Sequence, residues 1–177
     1  MIKGKENTTQ AIALAVKRAK ELGIKHIVVA SNSGWTAEKL ISQGFEIVCV
    51  THHVGFQGPG VDEMPPEIRK KLQEQGVKVL TTTHLFAGLD RAVRNKFGGV
   101  YPAEIMAQTL RMFGQGVKVG VEIAGMALDA GLIPYGQDVV AIGGTGEGAD
   151  AAIVVRPAHS NHFFDTIVKE VICKPRE

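Results

Sequence analysis

Cysteine is scarce in this chain of 177 residues: Cys49 and Cys173 lie far apart, with no Cys-x-x-Cys spacing. That excludes a disulfide scaffold, and two isolated thiols are expected to stay reduced, as in the cytoplasm. Aromatic residues make up only 6% of the chain, which argues against a platform for stacking single-stranded nucleic acid. No apolar run approaches the roughly 18 residues needed to cross a bilayer. The opening Met1-Ile2-Lys3-Gly4-Lys5-Glu6-Asn7 is polar and lacks the apolar core of a secretory signal. Charge of one sign is lacking too. Twenty basic residues against 18 acidic leave +2, too little to argue for a nucleic-acid or membrane partner.

What is present is the balance of a folded globular chain, 45% hydrophobic and 21% charged, which excludes disorder and collagen. A chain of this length buries roughly 70% of its unfolded surface and needs no staple. No linker, repeat or low-complexity tract interrupts it. One domain over 1–177 is expected.

Hydrophobic periodicity gives the order of elements. Asn7 or Thr8 opens a helix carrying Ile12, Ala15, Val16, Ala19 and Leu22 at helical spacing, closed by Gly23. His26 to Ala30 and Glu46 to Val50 are continuous β-branched runs, the pattern of parallel strands buried on both faces. Thr36 to Gln43 between them is expected to be a short helix stopped by Gly44. Pro66 to Gln75 follows as a helix with proline in its first turn, then a strand over Val77 to Leu80. Three helices are expected next, over His84 to Phe97, Pro102 to Phe113 and Val117 to Ala130. Asp138 to Ile142 and Ala151 to Val155 are further strands, while Phe163 to Ile172 fits either a helix or an edge strand. Strands alternating with helices predict a single three-layer α/β domain with a mostly parallel sheet of about five strands.

Ligands of such sheets bind beyond the carboxyl ends of the strands, where strand order reverses. Three loops there carry chemistry. Ser31-Asn32-Ser33-Gly34-Trp35-Thr36 enters a helix, so its hydroxyl and amide groups and the first helical N–H groups would converge on a phosphate. The competing reading is that Ser33 or Thr36 simply caps the helix. Gly143-Gly144-Thr145-Gly146-Glu147-Gly148 would let a backbone approach a ligand and present N–H donors, or form a tight structural turn. It contains Gly-x-Gly-x-x-Ala but leads into a strand, so it is not a dinucleotide fingerprint, and no Gly-Lys-Ser/Thr makes it a P-loop. Thr51-His52-His53 ends the second strand beside the first loop; adjacent histidines face opposite ways, so one at most addresses the pocket, as a ligand contact or acid–base group, and the competing reading is a satisfied loop histidine.

No His-x-x-x-His spacing or histidine–carboxylate grouping points to a metal, and none is expected. No Gly-x-Ser-x-Gly elbow supports a nucleophilic serine. Asp90, Arg91, Arg94 and Lys96 make a charged helix face that reads as solvated, or on which Arg91 or Arg94 would help hold an anion. Trp35 offers a ring for stacking or for packing, and Cys49 reads as a small core residue.

Ala11 to Thr51 resembles the C-terminal, allosteric domain of pyruvate kinase, through Ile27-Val28-Val29-Ala30, Ser31-Asn32-Ser33-Gly34-Trp35-Thr36 and Val48-Cys49-Val50-Thr51. The resemblance implies a sheet flanked by helices and a phosphate held by Ser31, Asn32, Ser33, Gly34 and Thr36. The catalytic barrel of that enzyme has no counterpart here, so kinase chemistry is not expected. The middle, His84 to Ala130, is longer than in the kinase domain. The whole chain is similar to the stand-alone pyruvate-kinase α/β-domain-like proteins of archaea and some bacteria, through Phe97-Gly98-Gly99-Val100-Tyr101-Pro102, Arg111-Met112-Phe113-Gly114-Gln115-Gly116 and Ala141-Ile142-Gly143-Gly144-Thr145-Gly146. That likeness implies flavin mononucleotide, a monophosphate with a flat tricyclic ring. Its phosphate would lie on the Ser loop and its ring near Trp35, His52 or Phe56, with Thr51, Gly143, Gly144, Thr145 and Gly146 completing the site. Self-association is implied as well. Three functions stay open: a binding protein for a phosphorylated small molecule, an enzyme (a flavin-dependent reductase or a hydrolase of phosphorylated substrates) using His52 or His53, and a regulatory or structural subunit.

Overall fold

A computed structural model describes residues 3–176. The β-branched runs become strands β1 (His26–Ala30), β2 (Glu46–Val50), β3 (Lys78–Leu80), β4 (Val139–Gly143), β5 (Ala151–Arg156) and β6 (Ile167–Cys173). They form one sheet in the order β3-β2-β1-β4-β5-β6. The pairs β1–β2, β2–β3 and β1–β4 are parallel, whereas β4–β5 and β5–β6 are antiparallel. The sixth strand, beyond the five expected, comes from the ambiguous C-terminal stretch. A 3₁₀ segment over Ser160–Asp165 precedes it, and the strand itself is an exposed edge.

Every second residue along the inner strands enters one core, and its neighbours enter another. Ile27, Val29, Ile47, Cys49, Val140 and Ile142 pack with helix α1 (Thr8–Glu21), short α2 (Trp35–Glu38) and α3 (Pro66–Glu74) on one face. Val28, Val48, Val50, Val139, Ala141 and Ile153 pack beneath α6 (Gln115–Asp129) on the other. Burial on both faces is why these runs contain no polar alternation. Helices α4 (Gly88–Phe97) and α5 (Pro102–Arg111) make a hairpin beside α6.

The helix expected over Thr36 to Gln43 stops at Glu38. Beyond it the amides of Lys39, Leu40, Ile41 and Gln43 bond three residues back rather than four, tightening the chain until Ser42 reaches φ 66°. The wholly buried Leu40 is drawn into the core by this tightening. The helix expected from His84 starts only at Gly88, because His84 to Ala87 form a turn that buries Phe86 and Ala87.

Helix α6 lies close against the sheet because Gly116 and Gly120 share its inner face. A Cβ on Gly116 would fall 2.6 Å from Ala151 Cβ, and one on Gly120 would fall 3.1 Å from Ile153 Cδ1. The close approach brings the N-terminal half of α6 to the ends of β1 and β4. Those strands are the switch point: the chain runs from β1 outward through β2 to β3, then returns to place β4 on the other side of β1.

Candidate functional site

A cavity of about 720 Å³ opens over that switch point, within the size range of small-molecule sites. Its wall comes from the loops after β1, β2 and β4, the first half of α6 and the α4–α5 hairpin. Of the residues singled out above, Ser31, Asn32, Ser33, Trp35, Thr36, Thr51, His52, Gly144 and Gly146 line it. Gly34, Gly143 and Thr145 do not. Gly34, at φ 88°, turns the chain and presses on Ile68; Gly143 faces α6; the Thr145 amide donates to Asp150 Oδ2 at 3.2 Å.

The Ser loop divides its work. The Ser31 hydroxyl is buried and accepts from the Thr36 and Ala37 amides at 3.1 and 3.5 Å, so it caps α2 from inside. Ser33 is exposed on the cavity wall, and Thr36 lines it from the first turn of the helix. Trp35 stands with the Lys5 and Lys39 ammonium groups 4.8 and 4.3 Å from its ring centre. The Thr51 hydroxyl is engaged with Thr81 Oγ1 at 2.7 Å and ties β2 to β3. The glycine loop is pinned from within: Asp150, fully buried, accepts from the Gly4 and Thr145 amides through Oδ2, while its Oδ1 has no partner among the described residues.

His52 is held from three sides. Asn32 accepts from the His52 amide at 3.1 Å and donates its own side-chain amide to His52 Nε2 at 3.2 Å. With Nε2 accepting, the proton resides on Nδ1, which donates to Glu63 Oε2 at 2.7 Å. The ring stacks on Phe56 with centroids 3.8 Å apart. His53 does not line the cavity; it packs behind the wall against Phe56 and His84, with ring centroids 5.7 and 5.4 Å away, and donates Nδ1–H to the Val54 carbonyl at 2.9 Å. His84, 5.2 Å from His52 ring to ring, extends the aromatic wall.

Several wall residues had no sequence signal of their own. Glu63 is 11 positions from His52 on a loop, and Lys118, Glu122 and Gln115 lie on what reads as an ordinary amphipathic helix. Lys118 and Glu122 form a buried ion pair one helical turn apart, and Glu122 Oε1 also accepts from the Phe86 amide at 2.9 Å. The i, i+4 spacing was the only available clue. Lys5 pairs with Glu147 at 3.3 Å, and Arg94 with Glu104. Among the described residues neither Arg91 nor Arg111 has a carboxylate within 4 Å, so two guanidinium groups remain on the wall with their charge unmatched. No group of three histidine, cysteine or acidic side chains among the described residues is arranged for a metal ion. Cys49 is buried and its thiol is pushed up to about 12 by that burial, which makes it unreactive at neutral pH.

Burial also lowers His84 to about 4, helped by His52 and His53 and opposed by Glu122. An unfolded histidine protonates near 6.5, so between about pH 6.5 and 4 the unfolded chain binds more protons than the folded one. The His84 contribution is therefore complete above about pH 6.5 and is lost as pH falls toward 4. One proton bound only by the unfolded chain removes about 1.4 kcal/mol for each pH unit crossed, so the loss should be on the order of 2 kcal/mol once solvent around the half-buried ring is allowed for. Urea unfolding at pH 7.5 and 4.5 checks it: His84→Gln should lose distinctly less stability across that interval than the unaltered chain. Equal losses would exclude His84 as the source.

A family model for the pyruvate kinase α/β domain matches residues 10–155, a span containing β1 to β4, all of β5 but its last residue, and nearly the whole cavity wall.

Proposed function

The chain belongs to the pyruvate kinase α/β-domain family, and on that premise we propose that it binds a phosphate-bearing small molecule, flavin mononucleotide first among them. The observation that carries the reading is the switch-point cavity itself. It combines donors at Ser33 and Thr36 with the guanidinium groups of Arg91, over the Phe56 ring, and Arg111, whose Nε donates to Gln115 Oε1 at 2.7 Å; neither has a carboxylate partner among the described residues. Guanidinium groups and helix-entry donors are the usual partners of phosphate oxygens. The His52–Phe56 stack gives the same cavity an aromatic side suited to a flat ring.

Protein purified without added ligand should carry a flavin absorbance, and mass spectrometry of the released small molecules should identify the monophosphate. Titrations with flavin mononucleotide and with riboflavin then isolate the phosphate. Replacing Ser33 and Thr36 together by alanine should weaken the phosphorylated ligand roughly tenfold, from about 1–2 kcal/mol of lost hydrogen bonding, and leave riboflavin unchanged. Unchanged affinity for the phosphorylated ligand would reject the assignment of these donors.

One observation favours a second reading, catalysis. A histidine backed by a carboxylate at Nδ1 is part of the arrangement of a general acid–base group, and its Nε2 would serve once a substrate displaces the Asn32 side-chain amide from it. In this reading the bound compound is a substrate or a flavin doing redox chemistry, and His52 moves a proton. Turnover of reduced nicotinamide or of phosphate esters that disappears in His52→Gln would support it. A filled site with no turnover would leave binding as the function.

A further inference from the structure

The α4–α5 hairpin, which supplies Arg91 and Arg111 to the cavity wall, is ordered without a core of its own. Helix α4 has no buried residue, and α5 buries only Ala107. A ten-residue helix is marginal in water without tertiary packing. Yet Leu89, Val93 and Phe97 recur every four residues along one stripe of α4, all of them exposed. Leu89, Phe97, Val100, Ile105, Met112 and Phe113 are each more than half exposed, at 55 to 83%. At roughly 150–250 Å² per large side chain, they present apolar area on the order of 700 Å². That exceeds the roughly 300–600 Å² of the largest patch on a typical monomer and approaches the ~800 Å² that each partner buries in a stable interface.

We infer that this hairpin is the face through which the chain pairs with a second copy of itself. A two-fold pairing presents the same stripe from both sides, so the exposed rows of α4 and α5 would cover one another. The charge pattern favours a protein partner over a lipid surface. A helix that lies on a membrane carries a cationic face for headgroups, whereas here Arg94 is taken up by Glu104 and the Arg91 and Arg111 side chains border the cavity. Lys96 alone remains as a basic group of α4 directed to neither. The chain's net charge of +2 puts no strong repulsion between copies. Pairing would also fix the wall that holds the two unmatched guanidinium groups, so ligand affinity should rise with association; that consequence rests on the function proposed above.

Sedimentation velocity on the purified chain tests the pairing directly. The unaltered chain should sediment as a dimer or a larger even assembly at micromolar concentration, and Leu89→Asp with Phe97→Asp as a monomer with unchanged far-ultraviolet circular dichroism. Should that variant fail to fold, Phe97→Ser alone removes one exposed ring and should weaken association at least tenfold. Hydrogen exchange on the unaltered chain gives an independent reading: α4 amides should gain protection as concentration rises. A monomeric unaltered chain, an assembly that survives both variants, or α4 exchange independent of concentration would overturn the inference. Flotation of a monomeric chain with phosphatidylserine vesicles would likewise overturn it, in favour of a lipid surface. Ligand affinity is read separately. Loss of pairing without loss of ligand would leave the interface standing and reject only its link to the cavity.

Discussion

Gly143→Ala should lower the free energy of unfolding by about 3 kcal/mol, the upper end of what overpacking a rigid interior costs. The backbone at Gly143 is ordinary strand, so the effect does not come from dihedral strain. It comes from the helix above. A Cβ there would stand 2.3 Å from the Gly116 carbonyl oxygen, 3.0 Å from Val119 Cβ and 3.1 Å from the Gly120 amide nitrogen. Two of those three atoms are backbone of α6, which cannot turn aside as a side chain would. Relief requires lifting α6 from β4, and with it the packing of Gly116 on Ala151 and of Gly120 on Ile153. Gly146→Ala, three residues on in the loop after β4, is the control. Its φ is 74° with nothing within 4 Å of the added carbon, so it should cost only about 1 kcal/mol of left-handed strain. Urea midpoints of the two variants decide the matter; a Gly143→Ala cost no larger than that of Gly146→Ala would mean that α6 is free to move.

That glycine also shows where the sequence was readable and where it was not. The strands were legible because burial on both faces leaves an uninterrupted β-branched run, and His26–Ala30 and Glu46–Val50 fold with the bounds their residues announce. The glycine-rich stretch after β4 announced a special backbone, but not its cause. Gly143 is required by α6, and Gly148 by the N-terminal segment, since a Cβ there would lie 2.4 Å from Thr8 Oγ1. Approaches of that kind join residues far apart in the chain and leave no periodic trace. The Ser loop was legible as a polar loop at a helix entry. Its internal division was not: that Ser31 caps while Ser33 faces the cavity depends on which hydroxyl the short α2 turns inward.

The remaining part of the site, the Lys118–Glu122 pair, was invisible for the opposite reason: its spacing is that of countless solvated helix pairs. Only the low seat of α6 and the lid of Phe86 turn it into a buried one, with side chains 9 and 7% exposed. Glu122→Gln should therefore destabilise the chain by about 3–5 kcal/mol, the cost of leaving a buried charge without its counter-ion. The glutamine still offers an oxygen to the Phe86 amide, so the loss reports the charge rather than the hydrogen bond. Burial already lowers Lys118 below its ordinary value, with Glu122 opposing the shift; without the carboxylate it falls further. The unfolded lysine keeps its proton to about pH 10, so across the interval below that the unfolded chain binds more protons, and the deficit of Glu122→Gln should shrink as pH rises. Adding Lys118→Met to Glu122→Gln removes the stranded charge altogether and should recover most of the stability, as well-packed replacements of buried ion pairs do. A double variant as unstable as the single one would show that packing, not charge, had been damaged. If stability returns but affinity for a phosphorylated ligand does not, the Lys118 ammonium belongs to the anion-binding wall as well as to the core.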